Sequence, residues 1–93
     1  MPFAYGFHPW TREGIEWLNP GQTGVYGIAN ANSWIYVGKG DIRDRLLAHL
    51  NRDNSCITRN GPTRWTTEVW PNPDARERQL ILELRPNCNH RAG

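Results

Sequence analysis

Residues 24–49, GVYGIANANSWIYVGKGDIRDRLLAH, decide how the chain is read. Two short runs of β-branched and aromatic residues, 24–29 and 34–38, flank Asn30-Ala31-Asn32-Ser33. Runs of this kind suit strands, and Asn tolerates the left-handed backbone of a tight turn, so the stretch reads as a β-hairpin. Gly38-Lys39-Gly40 follows as a bend, and Asp41 is placed to cap a helix from Ile42 to about Asn51. Ile42, Leu46 and Leu50 form its buried stripe. Arg45 and His49, four residues apart, lie together on one side of that helix, next to the stripe.

Downstream, residues 52–64 are polar and carry Asn54-Ser55 and Asn60-Gly61-Pro62, which reads as a long irregular loop. Residues 65–70 alternate in part and predict a third strand, ended by Pro71-Asn72-Pro73. Asp74 is expected to cap a second helix running to about Leu84, closed by Arg85-Pro86-Asn87, with a frayed tail beyond Asn89. Upstream, residues 1–22 mix prolines with Phe3, Tyr5, Phe7, Trp10 and Trp17. Thr11 can cap a short helix to Leu18, and the segment reads as an aromatic cover on the core. The order is β-β-α-β-α, of mixed α/β composition and α+β type. It forms one domain over residues 1–93, with a cover at 1–22 and a core at 23–89.

Composition sets bounds. Ninety-three residues, 38% hydrophobic and with five Trp, support one modest core. No apolar run approaches the roughly 18 to 20 residues of a membrane span, and the N-terminus does not read as a signal peptide, so a cytoplasmic location is the default. In that setting Cys56 and Cys88 read as reduced bystanders, although they could pair. A zinc site with His49 and His90 lacks CxxC and HxxxH spacing. The net charge is only +2, but residues 39–64 carry a surplus of three positive charges, a weak pointer to a phosphate-bearing partner.

Glu77 is the most informative single position. Leu80, Ile81 and Leu84 follow it at three, four and seven residues and share its helix face, and burying a carboxylate there is costly without compensation. It is either a first-turn acid favoured by the helix dipole or a ligand for a hard cation such as Mg²⁺. Arg45 has the planar fork that suits a phosphate, and His49 can move a proton near neutral pH; a partly exposed helix flank is the plainer alternative for both. Tyr26 and Tyr36 fall on opposite sheet faces if residues 30–33 form a simple four-residue turn. They fall on one face if the loop is odd or the hairpin bulges.

Together these residues resemble the GIY-YIG endonuclease domain family. The resemblance is carried by Gly24-Val25-Tyr26, Tyr36-Val37-Gly38, Arg45-Leu46-x-x-His49, Glu77-x-x-Leu80-Ile81, and then Pro86 and Asn89. It covers about residues 23–89, with Val where the family name has Ile. It implies a three-stranded antiparallel sheet flanked by helices, and hydrolysis of a nucleic-acid phosphodiester with one Mg²⁺ or Mn²⁺ ion. Tyr26 would be general base, Tyr36 would line the pocket, Arg45 would stabilise the phosphate and Glu77 would hold the metal. Lys39 and His49 would assist. Lys39, Arg43, Arg52, Arg59, Arg64 and Asn89 are the candidate nucleic-acid contacts, DNA ahead of RNA. Asn89 resembles the family's terminal Asn, structural or substrate-side. The interval from Tyr36 to Arg45 is one residue shorter than is common, which makes Arg43 the fallback. No separate recognition domain is visible, so specificity falls to the 52–64 loop, the N-terminal aromatics, a partner protein or substrate shape. A non-cutting binding module of the same fold is the alternative.

Overall fold

The hairpin forms as β2, Thr23–Ala29, and β3, Trp34–Asp41. Asn30 builds the turn: its Oδ1 accepts from the amides of Asn32 and Ser33, both at 2.8 Å. The computed structural model that shows this describes Phe3 and residues 6–89. The tail expected to fray beyond Asn89, and with it His90, lies outside the described residues, as do Pro2 and Tyr5.

β4, Arg64–Val69, pairs antiparallel with β2, and β1, His8–Pro9, pairs with β4, giving the order β1-β4-β2-β3. The sheet therefore has four strands rather than three. Two residues, one of them proline, cannot show an alternating pattern. β1 is fixed instead by its neighbours: the Pro9 carbonyl accepts from Trp65 Nε1 at 2.8 Å, and the Trp10 amide donates to the Thr63 carbonyl at 3.1 Å.

The register of the hairpin resolves the tyrosine question. Tyr26 faces Gly38 and Ile28 faces Tyr36, but Ala29 faces Trp34, which leaves Ile35 as an extra residue in β3. A four-residue turn with this bulge puts Tyr26 and Tyr36 on the same face. That face is packed by α1, Arg12–Glu16, and α2, Ile42–Leu50, around a core of Ile15, Tyr26, Ile28, Ile35, Ile42, Leu46, Ile57 and Trp65. The opposite face presents Val25 and Val37 to Phe3 and to Leu80 of α4, Asp74–Leu84.

Three local expectations are corrected. The polar segment 52–64 holds a short helix, α3, Ser55–Arg59, started by Asn54, whose side chain accepts from the amides of Cys56 and Ile57. Its single apolar anchor, Ile57, is fully buried, and one anchor in five residues leaves no periodicity to read. Asp74 is not the cap of α4. Pro73 holds that position without a side-chain bond, and the Asp74 carboxylate turns instead to Lys39 Nζ at 2.8 Å. The cysteines are not separate thiols: Cys56 and Cys88 form a disulfide across 32 residues. Their approach follows from the C-terminal segment, which docks along β3. The Asn87 and Cys88 amides donate to the carbonyls of Trp34 and Ile35, at 3.1 and 2.8 Å. This segment covers a strand edge that would otherwise expose unpaired backbone groups. No helix among the described residues is long and apolar enough to cross a membrane.

Candidate active site

The glycine-rich strand ends let the tyrosines pack face to face with α2. Gly38 lies opposite Tyr26, and a Cβ there would overlap the Tyr26 hydroxyl and come within 2.8 Å of Tyr36 Cε2. Gly40, at φ +124°, makes the bend into the Asp41 cap that a side-chain-bearing residue would resist. The two tyrosine rings lie 6.2 Å apart, and His49 completes the group at 5.6 Å from Tyr26 and 5.2 Å from Tyr36.

His49 was expected beside the buried stripe of α2, as part of a helix flank. It is in fact within the stripe, 3% exposed, with Ile42 and Leu46. Both ring nitrogens are engaged. Nε2 lies 2.8 Å from the Tyr26 hydroxyl, and Nδ1 lies 2.7 Å from Asp53 Oδ1. Burial pushes the imidazole below its ordinary value, opposed by the Asp53 carboxylate, so His49 is neutral near pH 7. Burial, reinforced by Tyr36, pushes the Tyr26 phenol well above its ordinary value, and the Arg45 guanidinium alongside its hydroxyl acts against this. Tyr36, half-buried, is likewise raised by burial, with Arg45 opposing.

Arg45 is thus the arginine that reaches the tyrosine pair, despite the short interval from Tyr36. Arg43 is half-buried, and its buried Nε has no hydrogen-bond partner.

Glu77 approaches from the other face of the sheet. Its side chain is 19% exposed, and Lys39 Nζ lies 3.8 Å from Oε1 while bonding Asp74. Burial holds the Glu77 carboxyl above the usual carboxylate range, against the pull of Lys39. Its charge is felt at Tyr36. β3 is an edge strand, so the tyrosine–Arg45–His49 group on one face and Lys39–Glu77 on the other meet around it. No group of three or more His, Cys, Asp or Glu suited to a metal exists among the described residues. Glu77 shares Lys39 with the exposed Asp74, so at most a pair of carboxylates lies here.

Asn89 spends its amide on backbone: Oδ1 accepts from the Val37 N–H at 2.7 Å and Nδ2 donates to the Val37 carbonyl at 2.9 Å. It pins the strand between Tyr36 and Gly38. Arg52 and Arg59 are exposed at the ends of α2 and α3, whereas Arg64 is half-buried with its guanidinium 4.1 Å over the Phe7 ring.

Two carboxylates were not anticipated. Asp53 has a sequence signal, its spacing of four from His49, but the helix ends between them at Leu50, with Asn51 as its C-cap and Arg52 turning away at φ +65°. Glu68 lies buried on β4, where Trp70 Nε1 and Arg76 bond it at 2.8 to 3.0 Å and tie α4 to the sheet.

The same arrangement of strands and helices occurs in solved structures of the GIY-YIG N-terminal endonuclease domain of UvrC from Thermotoga maritima. The form bound to magnesium, its catalytic divalent cation, superposes with a TM-score of 0.66 and 32% sequence identity over 82% of this chain and 91% of that one. A point mutant bound to its catalytic divalent cation gives the same TM-score and identity over 82% and 90%. The chain belongs to the GIY-YIG endonuclease domain family. No family sequence model and no curated protein matches it. As a GIY-YIG domain it carries a nuclease fold, and its structural relatives hold a divalent cation.

Proposed function

We propose that this GIY-YIG domain is an endonuclease that hydrolyses a nucleic-acid phosphodiester, with DNA the favoured substrate. The observation that carries the reading is the meeting of Tyr26, Tyr36, Arg45 and His49 with a half-buried Glu77 around the edge of β3. A structural domain needs no such assembly of costly polar groups on apolar faces.

The donor chemistry fits one hard cation. Glu77 offers a single carboxylate, raised by burial and so stabilised by added positive charge. Mg²⁺ commonly keeps several waters and takes one or two carboxylates plus substrate phosphate oxygens. When bound, such an ion neutralises charge that builds on the phosphate oxygens during displacement.

The remaining work falls to the chain's own residues. Arg45 donates a forked pair of hydrogen bonds to the phosphate and favours the phenolate of Tyr26. Tyr26, as general base, takes a proton from the attacking water, and Tyr36 walls the pocket. Lys39 adds positive charge, held in place by Asp74. Asn89 positions Tyr36 and Gly38 through Val37.

The test is plasmid and single-strand cleavage, on DNA and on RNA, with Mg²⁺ or Mn²⁺, with EDTA, and with Glu77→Ala. Metal-dependent nicking that Glu77→Ala abolishes is expected. Cleavage that survives both EDTA and Glu77→Ala refutes the mechanism. Salt-sensitive binding without cleavage by the wild type indicates a non-cutting module of the same fold.

A further inference from the structure

Asp53 stands outside every residue assigned so far, yet it bonds His49, whose other ring nitrogen meets the Tyr26 hydroxyl. We propose that Asp53 is a positioning residue, acting through His49, which makes the phenol of Tyr26 a usable base by holding the imidazole with Nε2 bare and aimed at the Tyr26 hydroxyl. The inference rests on the reading of Tyr26 as general base.

The hydrogen positions follow from elementary chemistry. A carboxylate has only acceptors, so at 2.7 Å from Asp53 Oδ1 the His49 Nδ1 must carry the hydrogen. In the neutral ring Nε2 then bears a lone pair, and at 2.8 Å it accepts the Tyr26 O–H. Burial of His49 excludes water from competing, while the Asp53 carboxylate is 39% exposed and keeps its hydration. The charged and titratable groups facing the ring are Tyr26 from β2, Tyr36 from β3, Arg45 from α2 and Asp53 just after it.

This arrangement answers the main difficulty of a buried tyrosine base. An isolated phenol here would lose its proton only well above neutral pH. With His49 behind it, no free phenolate has to persist. As water attacks phosphorus, its proton passes to the Tyr26 oxygen and the Tyr26 proton passes to His49 Nε2. The P–O bond to the leaving oxygen breaks, and that oxygen takes a proton from solvent. The imidazolium, opposite Asp53, later returns its proton to solvent. One water is consumed and no proton is gained or lost overall.

The experiment uses the full chain in two readouts. ¹⁵N NMR of the imidazoles, without metal or nucleic acid and with the His49 signals assigned by loss in His49→Gln, reads the tautomer directly. The wild type should show Nδ1–H with a bare Nε2, and Asp53→Asn should lose that single state. In cleavage kinetics with Mg²⁺ from pH 5 to 9, Asp53→Asn should lower kcat about 10- to 100-fold with KM within about twofold. Its acid limb should shift to lower pH, because the carboxylate that favours the imidazolium is gone. Asp53→Glu should recover part of kcat.

A merely structural role would lower the folded fraction without moving the acid limb. An Nε2–H tautomer in the wild type, or an Asp53→Asn enzyme with unchanged kcat and pH profile, overturns the proposal. If the wild type cleaves nothing, the nuclease reading fails alone, and the tautomer still decides whether Asp53 orients His49 toward Tyr26.

Discussion

Replacing Gly38 with alanine tests whether the tyrosine pocket is built as described. The added Cβ would overlap the Tyr26 hydroxyl and Cζ, and would sit 2.8 Å from Tyr36 Cε2. Neither ring has somewhere to go. Tyr26 is 1% exposed and bonded to His49, and Tyr36 lies against the same core. The strain therefore falls on β3, at the cost of overpacking a well-filled core, about 1–3 kcal/mol. In a domain of this size each kcal/mol moves Tm by about 4–8 °C, so Gly38→Ala should melt about 4–24 °C lower. Displacing Tyr26 by about 1 Å should also cost roughly 100-fold in cleavage rate.

A double-mutant cycle isolates the cause. In a Tyr26→Ala background the nearer ring is gone and the half-buried Tyr36 can shift into the space it leaves, so Gly38→Ala should cost much less, giving a coupling of about 1–3 kcal/mol between the sites. Thermal melts of the four proteins suffice. A Gly38→Ala protein that melts with the wild type and cleaves at its rate would refute the packing, and equal penalties in both backgrounds would assign the cost to the strand rather than to Tyr26.

Two further predictions concern stability. The Cys56–Cys88 bond closes a 32-residue span, so Cys56→Ser should lower stability by about 4 kcal/mol by loop entropy, read as a lower urea midpoint. His49 is held below its ordinary value of 6.5, so the unfolded chain binds more protons than the native one as pH falls past that value. Native stability should accordingly decline from pH 7 toward pH 5 in urea melts, and the slope should flatten in His49→Gln. An unchanged slope would mean that His49 is not the group being titrated.

The elements with room for a pattern were legible in the sequence. The hairpin, α2, β4 and α4 each carry enough periodic apolar positions, with Asn30 and Asp41 marking turn and cap. What was not legible depends on partners far away in sequence. β1 exists because Trp65 and Thr63 receive it, and the disulfide exists because residues 87–89 dock on β3. The bulge at Ile35 illustrates the limit most clearly. The loop length alone put the tyrosines on opposite faces, and one extra residue reverses that. For the candidate site, motif spacing brought out Tyr26, Tyr36, Arg45, His49 and Glu77 but not Asp53, because an acid after a helix end usually meets solvent. His49 itself looked like a flank residue. Burial against two tyrosines, invisible in a single helix's periodicity, is what makes it chemically specific.

Tyr26 is proposed as the base of a metal-dependent phosphodiester hydrolysis. Single-turnover cleavage of a DNA substrate by Tyr26→Phe, at saturating Mg²⁺ and beside the wild type, tests it most directly. Phe preserves the ring packing against Tyr36 and His49 but leaves the buried His49 Nε2 without its donor, so the protein should fold with a stability loss of about 1–3 kcal/mol while the cleavage rate of the folded protein falls by about 100-fold or more. A folded Tyr26→Phe protein that cleaves at the wild-type rate would contradict the account.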